Sequence, residues 1–164
     1  MTMHRVELTP WPRNPERTLF TALPELRTIW REDLSAIAMF HTRQWETDPD
    51  ESGNILLAHA GNDLIGVTGW YRMTLSEAGL RWHGVLPHAR RNGFSKQMIE
   101  LACQDMPREI CHVYEVTRNE QSALAFCRCG FEVVTDTDVI QSVVEQSEYD
   151  IEGGGWVLRK TLRG

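Results

Sequence analysis

The stretch Gly79-Leu80-Arg81-Trp82-His83-Gly84-Val85-Leu86-Pro87, with Arg90-Arg91-Asn92-Gly93-Phe94-Ser95 close behind it, decides how this chain is read. Its first part is a short, largely apolar run ended by proline, the pattern of a strand. Beyond the loop, Phe94, Met98 and Ala102 recur four apart, which places them on one face of a helix. The unit is therefore strand, glycine-containing loop, helix. At such a junction the first backbone N–H groups of the helix lack intrahelical partners, and a glycine lets a ligand approach the backbone closely. The helix dipole adds positive potential at that end, and Arg90, Arg91 and Lys96 add full charges. From Arg81 to Lys96 there are four Lys or Arg residues and no Asp or Glu, in a chain with 17 Lys+Arg against 23 Asp+Glu. A bound phosphate accounts for that local inversion; solvated arginines on an ordinary strand–helix connection are the competing reading. The loop carries neither G-x-G-x-x-G nor G-x-x-x-x-G-K-[ST], so the signatures of a dinucleotide or ATP site are missing.

Downstream, residues 110–117 (ICHVYEVT) predict a strand, Asn119–Cys129 a helix stopped by Gly130, and residues 131–135 (FEVVT) another strand. Upstream, NILLAHA and DLIGVTGWYRM flank Gly61-Asn62 and predict a β-hairpin. Earlier still, Leu23, Leu26, Trp30, Leu34 and Ile37 recur at three- and four-residue spacing, predicting an amphipathic helix from about Leu23 to Trp45. The segment Asp138–Tyr149 is ambiguous, and GWVLRKTL is a closing strand. Strands alternate with helices over Leu80–Thr135, which predicts parallel pairing there and an α/β or α+β fold. The loops Thr9–Pro15, Glu46–Asn54 and Gly153–Gly155 do not resemble linkers, so one domain over residues 1–164 is expected.

Composition supports one core, with 164 residues of which 41% are apolar. A net charge of −6 and a pI near 5.5 argue against a nucleic-acid partner, whose phosphates demand Lys and Arg. Mean hydropathy is −0.37, and no apolar run approaches the ~18–20 residues that span a bilayer, so no membrane partner is expected. The segment MTMHRVELTPWPRNPER has no apolar signal region, and the four cysteines read as reduced thiols. Together these predict a cytoplasmic protein.

The two motifs resemble those of the GNAT N-acetyltransferase superfamily over about Asn54–Thr135, with GWVLRKTL as the closing strand. That family has a strand ending V-x-P and then [QR]-x-x-G-x-[GA]; here Val85-Leu86-Pro87 precedes Arg90-x-x-Gly93-x-Ser95. Only the last position departs, and serine is still small. The family also shows N-x-x-[AS]-x-x-[LF]-Y-x-x-x-G-F, matched in spacing by Asn119, Ser122, Phe126, Gly130 and Phe131. Gly66 stands where these proteins often have a strand glycine.

The resemblance implies a GNAT fold: a mixed central β-sheet with a splayed parallel strand pair, flanked by helices. It implies acetyl-CoA, or another acyl-CoA, as co-substrate, and no metal. Arg90, Arg91, Asn92, Gly93, Phe94 and Ser95 would hold the pyrophosphate, a backbone N–H near Val85 would polarise the thioester carbonyl, and Asn119 and Phe126 would belong to the second cofactor motif. The acyl group would pass directly to a primary amine of a small molecule, peptide or protein. The alternative is an inactive acyl-CoA-binding or sensing module on the same fold. A homodimer is compatible with either.

Amine transfer requires a proton acceptor, because an unperturbed lysine amine has a pKa near 10.4. Period-two alternation puts Arg81, His83 and Val85 on one strand face, which makes His83 a candidate. Glu115 is the other, since YEVTRN resembles the E-V segment of bacterial ribosomal-protein N-acetyltransferases, where a glutamate acts as base through water. The spacing to Asn119 is one residue shorter here. A water chain without a single base is the third case. Family members often have a tyrosine at the place of Phe126, donating a proton to the departing thiolate. Phenylalanine has no proton to give, which leaves Tyr114, Cys127, or an unprotonated thiolate with a pKa near 8.5.

Cys127-x-Cys129 points its thiols to different helix faces and lacks metal-ligand spacing. Trp30, Trp45 and Trp70 fall where this fold builds its acceptor pocket. From Glu132 to Glu152 there are seven acidic residues and no Lys or Arg. That is either a solvated face or an attractor for a cationic acceptor such as a polyamine, an aminoglycoside or a Lys-rich peptide.

Overall fold

The computed structural model describes residues 5–11, 24–30, 53–147, 151 and 154–163. Its strands are β1 (Val6–Pro10), β2 (Gly53–Ala60), β3 (Asp63–Arg72), β4 (Glu77–Val85), β5 (His112–Thr117), β6 (Glu132–Val133) and β7 (Trp156–Thr161). Its α-helices are α1 (Phe94–Asp105), α2 (Glu120–Arg128) and α3 (Thr137–Ser147), with 3-10 turns at Pro24–Trp30 and Pro87–Ala89. The hydrogen-bonded strand order is β1-β2-β3-β4-β5-β7-β6. The fold is therefore mixed α/β, with β4–β5 a parallel pair. By internal contacts the chain divides into two compact units, Met1–Gly69 with Trp82–Ala102, and Trp70–Arg81 with Cys103–Gly164.

In the first unit, β1 runs antiparallel to β2 with Val6 opposite Ala60 and Pro10 opposite Leu56. The β2–β3 hairpin turns at Gly61, whose φ of 62° is a conformation that side chains resist. Gly66 has a different reason. A Cβ there would collide with the Gly84 carbonyl oxygen, so its bare backbone lets β3 lie close against β4. One core cluster gathers Leu26, Leu57, Val67 and Leu86; another joins Val6, Ala58, Ala60, Ile65 and Ala89 to Met98 of α1. Phe94, Met98 and Ala102 follow the expected stripe, with Met98 and Ala102 fully buried.

The amphipathic helix expected from about Leu23 to Trp45 is met differently in the part that is described. Pro24–Trp30 is a 3-10 helix, and the Thr28 hydroxyl donates to the Glu25 carbonyl at 2.7 Å. This side-chain back-bond three residues upstream matches the tighter i to i+3 repeat. Leu26 is buried as its periodicity predicted. Residues 31–45, and the acidic loop up to residue 52, lie outside the described residues.

In the second unit the parallel ladder pairs Glu77, Ala78 and Gly79 with His112, Val113 and Tyr114. On its other side β5 pairs antiparallel with β7 from His112–Thr161 to Thr117–Trp156, and β7 pairs with the short β6. Asn119 caps α2 by accepting the Ser122 N–H at 3.1 Å, and Gly130, with a φ of 91°, follows its end. The ambiguous Asp138–Tyr149 segment proves to be largely α3. Asp136 Oδ1 accepts the N–H groups of Asp138 and Val139 at 2.9 and 3.3 Å, nucleating the helix. Val139, Ile140, Val143 and Val144 then pack against Tyr114, Val116, Val134 and Val157. Glu132, Asp136, Asp138 and Glu145 are exposed, while residues 148–150 and 152 lie outside the described residues.

Candidate active site

In the first unit, β4 ends at Val85, and the 3-10 turn Pro87–Ala89 leads into the Arg90–Ser95 segment. Leu86 N–H donates to the Ile65 carbonyl of β3 at 2.7 Å, so alternation directs the Val85 N–H away from β3. Val85 O accepts Arg90 Nε at 3.1 Å, and Arg90 Nη2 reaches the Ile29 carbonyl at 3.4 Å. Arg90 therefore buttresses the strand end. That role was not legible in the sequence, because backbone carbonyls leave no residue signature. Asn92 Nδ2 donates to the carbonyls of Ala89 and Arg90, both at 3.1 Å, which fixes the curl of the loop.

Two loop residues adopt left-handed backbone. Gly93 has a φ of 73°, and Arg91, at 67°, is the one non-glycine residue with positive φ among the described residues. Such strain persists where the surrounding structure enforces it, often at ligand clamps. A Cβ built on Gly93 meets nothing within 4 Å, so glycine here serves the backbone conformation and leaves the space in front of it open. Helix α1 follows with no acidic residue in its first turn. Exposed backbone, open space, a helix N-terminus and the exposed Arg91 and Lys96 together fit a diphosphate.

His83 faces this loop within the same unit. Its Nε2 lies 2.8 Å from Ser95 Oγ and its Nδ1 3.2 Å from Thr68 Oγ1, which is wholly buried. Burial pushes its pKa down to about 4, so the imidazole is neutral at physiological pH and weakly basic. It is correspondingly ill suited to activating Ser95 as a nucleophile. Thr68 was missed in the sequence: nothing in a lone strand threonine announces a partner 15 residues away.

The second unit holds the other candidates. Glu115 lies on β5 between Tyr114 and Val116, which face the α3 core. Its Oε2 is buried without a hydrogen-bond partner among the described residues. Burial therefore holds its pKa well above the usual carboxylate range. Tyr114 is committed elsewhere: its hydroxyl donates to Glu77 Oε2 at 2.9 Å, and burial raises its pKa. Asn119 is exposed, and its side chain caps α2. Phe126 is buried and stacks edge-on against Phe131 with ring centroids 5.1 Å apart. Cys127 is exposed and Cys129 buried, and none of the four cysteines forms a disulfide. Trp70 is a core residue whose Nε1 donates to Asp105 at 2.8 Å; residue 45 lies outside the described residues. Arg81 stacks on the Tyr71 ring at 3.8 Å and donates to the carbonyls of Gln146 and Ser147, securing the end of α3. Among the described residues, no cluster of three His, Cys, Asp or Glu is placed to hold a metal, and no helix is long and apolar enough to cross a membrane.

The model of the acetyltransferase (GNAT) family matches residues 19–131. No curated protein matches the chain. Among solved structures, an acetyltransferase from Thermus thermophilus is 16% identical with a TM-score of 0.67, covering 98% of this chain and 100% of its own. A GNAT-family acetyltransferase from Staphylococcus aureus is 15% identical with a TM-score of 0.68, covering 96% and 99%. A Bacillus subtilis acetyltransferase in complex with CoA is 20% identical with a TM-score of 0.60, covering 98% and 99%.

Proposed function

The chain belongs to the acetyltransferase (GNAT) family, and from that premise we propose that it is an acyl-CoA-dependent N-acyltransferase, moving an acetyl group directly to a primary amine. The observation that carries the reading is the loop before α1, with left-handed backbone at Arg91 and Gly93 and open space before Gly93. The backbone of Arg91–Ser95 would hold the pyrophosphate of acetyl-CoA, which supplies an activated thioester. The B. subtilis neighbour, solved with CoA, supports that choice of co-substrate.

This chain's residues divide the remaining work. The Val85 N–H, directed away from β3, donates to the thioester carbonyl oxygen as negative charge gathers there. Glu115 accepts the amine proton, directly or through water, as the nitrogen bonds to the acyl carbon and the carbon–sulfur bond breaks. Its raised pKa makes it a stronger base than an exposed carboxylate, while His83, at about 4, is a poor one. The CoA sulfur departs as a thiolate, a tolerable leaving group because thiols ionise near pH 8.5. The exposed carboxylates of Asp136, Asp138 and Glu145 favour a cationic acceptor.

Phe126 favours a second reading, an acyl-CoA sensor without turnover, since its buried ring has no proton to donate. Free-thiol release from acetyl-CoA across a broad panel of primary amines separates the two. Amine-dependent release above the uncatalysed rate supports the transferase. Release at the background rate throughout, with the melting temperature still raised by acetyl-CoA, supports the sensor.

A further inference from the structure

We infer that Ser95 is a hydrogen-bond donor to the cofactor pyrophosphate and that Thr68 and His83 set the direction of its hydroxyl hydrogen. The inference rests on the acyl-CoA reading above. Ser95 stands where the matching loop motif ends in glycine or alanine, so its hydroxyl is a group the motif does not require. That hydroxyl is already tied into a chain: Thr68 Oγ1 to His83 Nδ1 at 3.2 Å, and His83 Nε2 to Ser95 Oγ at 2.8 Å.

A neutral imidazole carries one N–H, so the chain has two self-consistent directions. In one, Ser95 O–H donates to Nε2 and Nδ1–H donates to Thr68; the serine then offers only lone pairs outward. In the other, Thr68 O–H donates to Nδ1 and Nε2–H donates to Ser95 Oγ; the serine proton is then free to point at a ligand. An anion before α1 accepts hydrogen bonds and offers none, so it takes the second direction alone. Burial keeps the ring neutral, so both nitrogens do not donate at once. His83 and Thr68 are thus positioning residues acting through Ser95, and cofactor binding selects the Nε2–H tautomer of His83.

Two measurements on the full chain test this. Nitrogen-15 NMR of histidine-labelled protein reads the His83 tautomer without and with saturating CoA. Calorimetric titration compares the CoA affinity of the wild type with that of Ser95→Ala. The expected result is a shift of His83 to the Nε2–H form on CoA addition, with affinity lowered about tenfold or more in Ser95→Ala, as for loss of a hydrogen bond to a charged group. If the wild type binds CoA but neither the tautomer nor the Ser95→Ala affinity changes, the inference is wrong and the acyl-CoA reading stands. If the wild type binds no CoA at millimolar concentration, both fall. The tautomer measurement needs no variant, so it decides even if Ser95→Ala folds poorly.

Discussion

Gly66 and Gly84 face each other across β3 and β4 so closely that a methyl group on Gly66 would overlap the Gly84 carbonyl oxygen. The contact lies one residue before Val85, the proposed carbonyl-polarising donor. Forcing the strands apart there costs packing as well as placement. Gly66→Ala should lose about 1–3 kcal/mol, as overpacked sites do, lowering the melting temperature by roughly 2–4 °C for each of them. Thermal unfolding checks this, and an unchanged melting temperature would show that the strands tolerate the separation.

Asn119 tests whether the second motif acts through the helix or through the ligand. Its Oδ1 accepts the Ser122 N–H at the start of α2. Asn119→Ala should lose about 1 kcal/mol of stability, and Asn119→Asp, which can still cap, should recover most of it. Denaturant unfolding reads both. Recovery of stability in Asn119→Asp without recovery of CoA affinity would add a ligand contact to the cap.

These elements mark the boundary of what was legible. The Arg90–Ser95 loop and α2 announce themselves because a glycine among basic residues ahead of a helix, and Gly130 at a helix end, are local signals carried by residue type. Helix α3 was obscured by Val139, Ile140, Val143 and Val144, β-branched residues that suit strands as well as helices. What resolves it is Asp136, whose carboxylate caps the first turn. The partnership of Thr68, His83 and Ser95 was out of reach for another reason. Three separate elements supply it, and only tertiary structure brings them together.

Glu115 predicts a pH dependence in both stability and rate. Its folded-state pKa is raised, so its contribution to stability is full below the ordinary carboxylate range. As pH rises toward the folded-state value, the unfolded chain releases its proton first and stability falls. Glu115→Gln, which mimics the protonated form, should remove that slope and be the more stable protein at neutral pH. As the base, Glu115 acts deprotonated, so wild-type rate should climb with pH through its raised pKa. The Gln variant should lose that limb and about 10²–10⁴-fold in kcat. A pH–rate profile unchanged by the substitution would remove Glu115 from the mechanism.

Phe126 sits where a tyrosine would supply an acid. If the thiolate leaves unassisted, Phe126→Tyr should raise kcat by less than about tenfold, well short of the roughly 10²–10⁴ that a needed general acid provides. Steady-state kinetics on a responsive amine measures this. A gain in the larger range would show that protonation of sulfur limits the natural enzyme.

Binding of the acyl-CoA diphosphate by the loop before α1 hinges on Gly93. Its φ of 73° and the open space before it mean that Gly93→Asp adds a carboxylate facing the anion, while Gly93→Asn adds similar bulk without charge, and both residue types tolerate left-handed backbone. The decisive measurement is calorimetric titration of acetyl-CoA into the wild type and both variants, with melting temperatures confirming that each is folded. If the loop holds the diphosphate, acetyl-CoA binds the wild type saturably, Gly93→Asn more weakly and Gly93→Asp not at all. Equal affinity for acetyl-CoA in the wild type and Gly93→Asp would contradict it.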